Sequence, residues 1–165
     1  MDIEIQTIAT PIENLLKRIK INPDIRFLCL DMGRKKIGLA TCYYPISVTI
    51  PYKTIQNQGI KKTIEIIDAL CKDVGSADVV IGLPIQDNIL DKSAQYILNF
   101  AENFSSKLKI NLYFQDESFS SCIANELLSE IGLKRKKREV IDDAVAASII
   151  LNNFIIKINK LLSLN

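Results

Sequence analysis

FLCLDMGRKKIGLA, residues 27–40, begins as an apolar run, stops on Asp31 and resumes after a glycine and three cations. Residues 26–31 are almost continuously apolar, the pattern of a strand buried on both faces. Gly33 permits a tight turn, and KIGLATCYY (36–44) reads as a second strand returning beside the first. ISVTIPYKTI (46–55) supplies a third strand, weakened toward its end by Pro51. Three strands with short links make an antiparallel meander. The first of them ends on a bare carboxylate, and such a group needs water, a donor or a metal ion because burying it unpaired is costly.

Beyond the meander the pattern alternates. IKKTIEIIDALCKD (60–73) places Ile60, Ile64, Ile67, Leu70 and Cys71 on one helical stripe. ADVVIGLP (77–84) is a short buried strand closed by Gly82 and Pro84, a helix follows over about 91–107, and INLYFQDE (110–117) is the last strand. A helix over 118–131 stops at Gly132. A polar basic loop, KRKKRE (134–139), then leads into a final apolar helix from about 142. The fold class expected is α/β, a mixed five-stranded sheet in which an antiparallel three-strand meander precedes βαβα, flanked by helices. Upstream, TPIE (10–13) reads as a helix start with Thr10 as N-cap, Pro11 at the first helical position and Glu13 closing a capping box. Residues 1–25 are thus an N-terminal extension with a short amphipathic helix, and 26–165 the main domain.

The 165 residues suit one globular domain, 48% hydrophobic and 24% charged, with a formal net charge of +2 that by itself identifies no nucleic-acid binder. Histidine is absent, which removes the usual general base near neutral pH together with His-containing zinc sites and Ser-His triads. Hydrolytic chemistry would have to use carboxylates, Lys, Tyr, Cys or an activated water. Cys29, Cys42, Cys71 and Cys122 lie in apolar segments without a CxxC pair and read as small buried hydrophobes in a reducing compartment. The N-terminus is acidic and interrupted by proline, unlike a signal peptide. No apolar run approaches the ~18 residues of a membrane span. A cytoplasmic protein without membrane contact is expected.

Three acidic positions stand out. Asp31 ends the first strand, Asp116 and Glu117 end the last, and Asp142 and Asp143 open the final helix. Ligands of open α/β sheets bind at the carboxyl ends of strands. If strands one and five lie side by side, their terminal carboxylates meet there, and a helix entering at that edge could add Asp143. Each acid also has a bland explanation: helix-dipole complementarity for Asp142 and Asp143, an N-cap for Asp116, a turn for Asp31. Converging carboxylates without histidine describe an oxygen-ligand site for Mg²⁺ or Mn²⁺. Two such ions about 4 Å apart can drive phosphodiester cleavage. The matching substrate is a polyanion, because Arg34, Lys35 and Lys36 follow Asp31, and Lys134, Arg135, Lys136, Lys137 and Arg138 precede Asp142. Runs of this kind are otherwise simply solvated surface.

The segments DMGRKKIG (31–38), VVIGLP (79–84), DESFSS (116–121) and SEIGLKRKKREVIDDAVAASIIL (129–151) resemble, in order, the conserved blocks of the YqgF or RuvX family of Holliday-junction-resolvase-like proteins. The resemblance covers about 26–155. It implies an RNase H-like fold and a metal-dependent nuclease that matures the 5′ end of 16S ribosomal RNA. Holliday-junction cleavage is an older proposal, and a noncatalytic RNA-binding assembly factor is a third. By position it implies Asp31, Glu117 and Asp143 as catalytic, metal-holding acids, with Asp116 and Asp142 as accessory acids. Lys35 and Lys36 join the 134–138 run as nucleic-acid contacts. The implied cofactor is Mg²⁺ or Mn²⁺, two ions. The implied partners are structured RNA such as pre-16S rRNA, branched DNA and a ribosomal precursor, with the protein a monomer or homodimer. Ser118 replaces the family arginine, removing a bidentate phosphate contact. Ser120 and Ser121 replace two threonines, IQDNILD replaces the family MDG run, and the N-terminal helix has no counterpart in short family members.

Overall fold

A computed structural model describes residues 6–84, 91–117 and 135–164, and for 135–142 the backbone alone. Strands β1 (Arg26–Met32), β2 (Lys36–Tyr43) and β3 (Val48–Gln56) form the meander, followed by helix α2 (Ile60–Val74), β4 (Asp78–Leu83), helix α3 (Lys92–Lys107), β5 (Asn111–Asp116) and the long helix α4 (Arg135–Ser163). Helix α1 (Ile12–Ile21) precedes them. The sheet order is β3-β2-β1-β4-β5. The β1–β2 and β2–β3 pairs are antiparallel, and the β1–β4 and β4–β5 pairs parallel. This is the mixed five-stranded sheet, meander then βαβα, that the sequence led to, and the condition that strands one and five lie side by side is not met. β4 lies between β1 and β5, so the strands bearing Asp31 and Asp116 are not neighbours.

The apolar residues of the sheet divide by the pleat. Leu28, Leu30, Val79 and Ile81 pack with Ile64, Ile67, Phe100 and Phe104 of α2 and α3. Phe27, Cys29, Val80 and Tyr113 pack on the other face with Leu15 of α1 and Ile150, Leu151 and Phe154 of α4. β1 and β4 are buried on both faces because helices cover both, which is why their sequences do not alternate. β3 is an edge strand, so Pro51 sits inside it opposite Ala40, at a register shift beside Leu39, instead of ending it.

Two local expectations change. Thr10 is no N-cap: its Oγ accepts from the Leu112 amide (3.0 Å) and its own N–H donates to the Leu112 carbonyl (2.7 Å), which ties the segment before α1 to the outer edge of β5. Pro11 takes the cap position instead, with no side-chain capping bond. Residues 135–139 of the basic run are no loop either. They are already helical within α4, consistent with the high helix propensity of Arg, Lys and Glu. Asp142 and Asp143 therefore lie more than a turn inside the helix, beyond the reach of dipole complementarity at its start. By length and composition Asp143–Ser163 is apolar enough to cross a membrane, against the sequence expectation. Its face of Ala147, Ile150, Leu151, Phe154 and Ile158 is buried against the sheet and α1. The expected helix over 118–131, Cys122 and Lys134 lie outside the described residues.

Candidate active site at the carboxyl ends of the strands

Asp31 and Glu117 meet across a strand that has no side chain to keep them apart. β1 and β4 pair Leu30 with Ile81, which sets Gly82 one residue further on, beside Asp31. The β4–β5 ladder pairs Leu83 with Asp116 and continues through the Glu117 N–H to the Leu83 carbonyl (3.4 Å). Glu117 folds back over Gly82: a Cβ there would collide with Glu117 Oε2 and lie 2.8 Å from Ile150 Cδ1. Across β1 the arrangement repeats. Gly38 on β2 is the register partner of Asp31, and a Cβ on Gly38 would overlap the main-chain carbonyl of Asp143. Two strand glycines thus make the room into which Glu117 and the α4 backbone move. Sequence reasoning treated Gly82 only as a strand end and gave Gly38 no role; the available signal was a glycine inside each strand pattern.

The electrostatics follow from this crowding. Burial, reinforced by the charges of Asp31 and Asp116, a hydrogen bond with Asp31 and the charge of Asp91, pushes the Glu117 carboxyl up to about 8 from an ordinary 4.5. Its Oε2 is buried without a hydrogen-bond partner. Beneath the pair, burial and the same two carboxylates push the Cys29 thiol well up, so it is an inert core group. Burial likewise raises Cys42 and Cys71 to about 11.

A cavity of about 290 Å³ opens above the pair, lined by Asp31, Gly33, Arg34, Pro84, Asp91, Tyr96 and Glu117 among others. Asp91, which sequence reasoning passed over, caps α3 by accepting from the Ser93 and Ala94 amides (2.9 and 2.8 Å) and holds its charge at the cavity wall. Arg34 and Lys35 are exposed on the β1–β2 turn and Lys36 is half-buried at its end. Asp116 is exposed. Asp143 reaches the site through its main chain at Gly38. Among the described residues no three His, Cys, Asp or Glu side chains are placed together to hold a metal ion. The side chains of Asp142, Arg135, Lys136, Lys137 and Arg138, and all of Lys134, lie outside what is described.

A carboxylate pair with a buried orphan oxygen fits a divalent cation on the chemistry of its donors. The atoms are hard oxygens, suited to Mg²⁺ or Mn²⁺, and a cation would offset the burial and the neighbouring carboxylate charges that raise Glu117.

Residues 25–157 match the model of the RuvX family, described as Holliday junction resolvase. The chain belongs to the RuvX family. A relative from Wolbachia pipientis wMel, provisionally named a pre-16S rRNA nuclease, is 35% identical over 142 residues, covering 86% of this chain and 92% of its own. One of the same name from Rickettsia rickettsii is 32% identical, covering 84% and 91%. Among solved structures, the yeast mitochondrial Holliday junction resolvase Ydc2 is similar with a TM-score of 0.49 at 12% identity, covering 94% of this chain and 88% of its own. Membership of the RuvX family makes the chain a nuclease, an enzyme that hydrolyses phosphodiester bonds. The Gly38 and Gly82 cradles and the carboxylate pair all fall within the span that the family model matches.

Proposed function

We propose that this nuclease cleaves structured RNA in the cytoplasm, trimming the 5′ end of pre-16S rRNA during ribosome assembly, with Mg²⁺ or Mn²⁺ as cofactor. The observation behind this reading is the pairing of the Asp31 and Glu117 carboxylates across Gly82 beneath a cavity edged by Arg34. Asp31 and Glu117 would hold the divalent ions, two in number, with Asp143 supplied by α4 and Asp116 and Asp142 as accessory acids. Bound there, such ions supply Lewis acidity and water activation. The protein's own part is to concentrate negative charge where the cation must sit and to keep it half out of water, which strengthens every interaction made there. Arg34, Lys35 and Lys36, together with the run Lys134, Arg135, Lys136, Lys137 and Arg138, neutralise backbone phosphates of the substrate.

The family description and the names of its relatives point to two substrates, branched DNA and pre-16S rRNA, so the test presents both. Purified protein is incubated with precursor 16S RNA and with a four-way DNA junction, in Mg²⁺, in Mn²⁺ and in EDTA, beside Asp31→Asn. Cleavage of the RNA that stops in EDTA and falls roughly a thousandfold or more in Asp31→Asn supports the reading. Preferential cutting of the junction transfers the activity to DNA. Intact cleavage in chelator removes the metal. An Asp31→Asn protein that restores growth to depleted cells makes the chain an assembly factor instead.

A further inference from the structure

The turn that carries Arg34 and Lys35 is held by the side-chain and main-chain amides of one residue. Asn57, just past the end of β3, donates its Nδ2 to the Gly33 carbonyl (2.9 Å) and its backbone N–H to the Lys35 carbonyl (2.9 Å), gripping the turn on both sides of Arg34. Nδ2 also donates to the Tyr96 hydroxyl of α3 (2.9 Å), which in turn donates to Asn57 Oδ1 (3.1 Å). Oδ1 further accepts from the Gly59 amide (3.2 Å) at the start of α2. One side chain thereby ties three elements together. The turn has little slack, since a Cβ on Gly33 would lie 2.5 Å from the Lys36 carbonyl oxygen. Tyr96 lines the same cavity as Asp31, Glu117 and Arg34.

We infer that the Asn57–Tyr96 pair is a positioning device for nucleic-acid binding, setting the register of the Arg34–Lys35 cations against the carboxylate pair. The inference rests on the reading of this turn as a contact to the phosphate backbone. The physical reason is that Arg and Lys side chains are long and flexible, so a phosphate can be presented at a fixed distance from the acids only if the backbone that bears them is immobile. Neither Asn57 nor Tyr96 is charged, and both act through the turn. A residue of this kind changes affinity only while the cations it positions are present.

That condition is the test. The dissociation constant of a labelled RNA stem-loop is measured over a range of salt, with Ca²⁺ replacing Mg²⁺. The proteins are the full-length chain, Asn57→Ala, Tyr96→Phe, a turn variant with Arg34→Ala and Lys35→Ala, and Asn57→Ala in that turn variant. Neutralising the turn weakens binding and lowers the salt slope by about two, one per phosphate contact. Asn57→Ala alone weakens binding about threefold or more, Tyr96→Phe somewhat less, and Asn57→Ala in the neutralised turn changes nothing measurable, the non-additivity of a coupled pair. Equal weakening in both backgrounds, or none in the native turn, overturns the inference while leaving the backbone contact standing. A neutralised turn that binds as the parent does removes the backbone contact itself, and the inference with it. If Asn57→Ala does not fold, Tyr96→Phe, which keeps its ring, is combined with the neutralised turn and judged by the same criterion.

Discussion

The sheet buries acidic side chains at both of its ends and treats them in opposite ways. At the amino end of β4, Asp78 is 2% exposed and receives a bidentate hydrogen-bonded ion pair from Arg18 of α1 (2.6 and 2.9 Å), with the Tyr113 hydroxyl donating at 3.3 Å. At the carboxyl end, Glu117 is pressed against Asp31 with an oxygen left unsatisfied. Both acids desolvate. The first is compensated by a guanidinium whose geometry matches a carboxylate, and the second by a proton it would not ordinarily hold. A buried charge that the protein satisfies itself fastens the fold, here the N-terminal helix to the sheet. One that it leaves without a counter-charge is a place prepared for a cation, the expected mark of a functional site.

Substitutions at the two ends should therefore move stability and activity in opposite senses. The largest effect expected is on catalysis: Glu117→Gln lowers RNA cleavage roughly a thousandfold or more and yet raises the thermal midpoint at pH 8. Cleavage rates and calorimetry on the same preparation check both halves. Next, Arg18→Met strands a buried carboxylate and costs about 3–5 kcal/mol by chemical denaturation, the scale for removing one partner of a buried pair. Cleavage per folded molecule stays unchanged. Asp78→Asn is milder, about 1–2 kcal/mol, because the Arg18 side chain is 41% exposed and can turn to water.

The remaining contrast is in pH dependence. The Glu117 carboxyl sits at about 8 in the folded protein against an ordinary 4.5. The folded state thus retains a proton that the unfolded chain releases, and stability in EDTA falls as pH rises from about 4.5 to about 8, then levels. Glu117→Gln abolishes that fall. Adding Mg²⁺ at pH 8 raises the midpoint of the parent and leaves that of the variant unmoved. A parent whose stability is flat across this range would erase the contrast between the two ends.

The meander, the βαβ alternation and the helices over 60–74 and 92–107 were legible because burial on two faces leaves continuous apolar strands and burial on one face leaves a helical stripe. Asp31 and Glu117 were legible as acids at strand ends. Their route of contact was not: adjacency of β1 and β5 was only a condition for their meeting, and a glycine on the intervening β4 is what permits it. Arg18 and Asp78, sixty residues apart in the chain, gave no sign of one another, since an ion pair between elements has no periodicity to betray it. Asn57 was equally silent, an ordinary polar residue after an edge strand.

Sequence by itself determined what is local and repetitive: which segments are strands, which faces are apolar, where carboxylates end strands, and the family those blocks resemble. Tertiary structure alone decided which charges are satisfied and which are left in repulsion, and how the cation-bearing turn is held. Those are matters of distance between side chains remote in the chain, and close approach at Gly38 and Gly82 arises only once the sheet and α4 have packed.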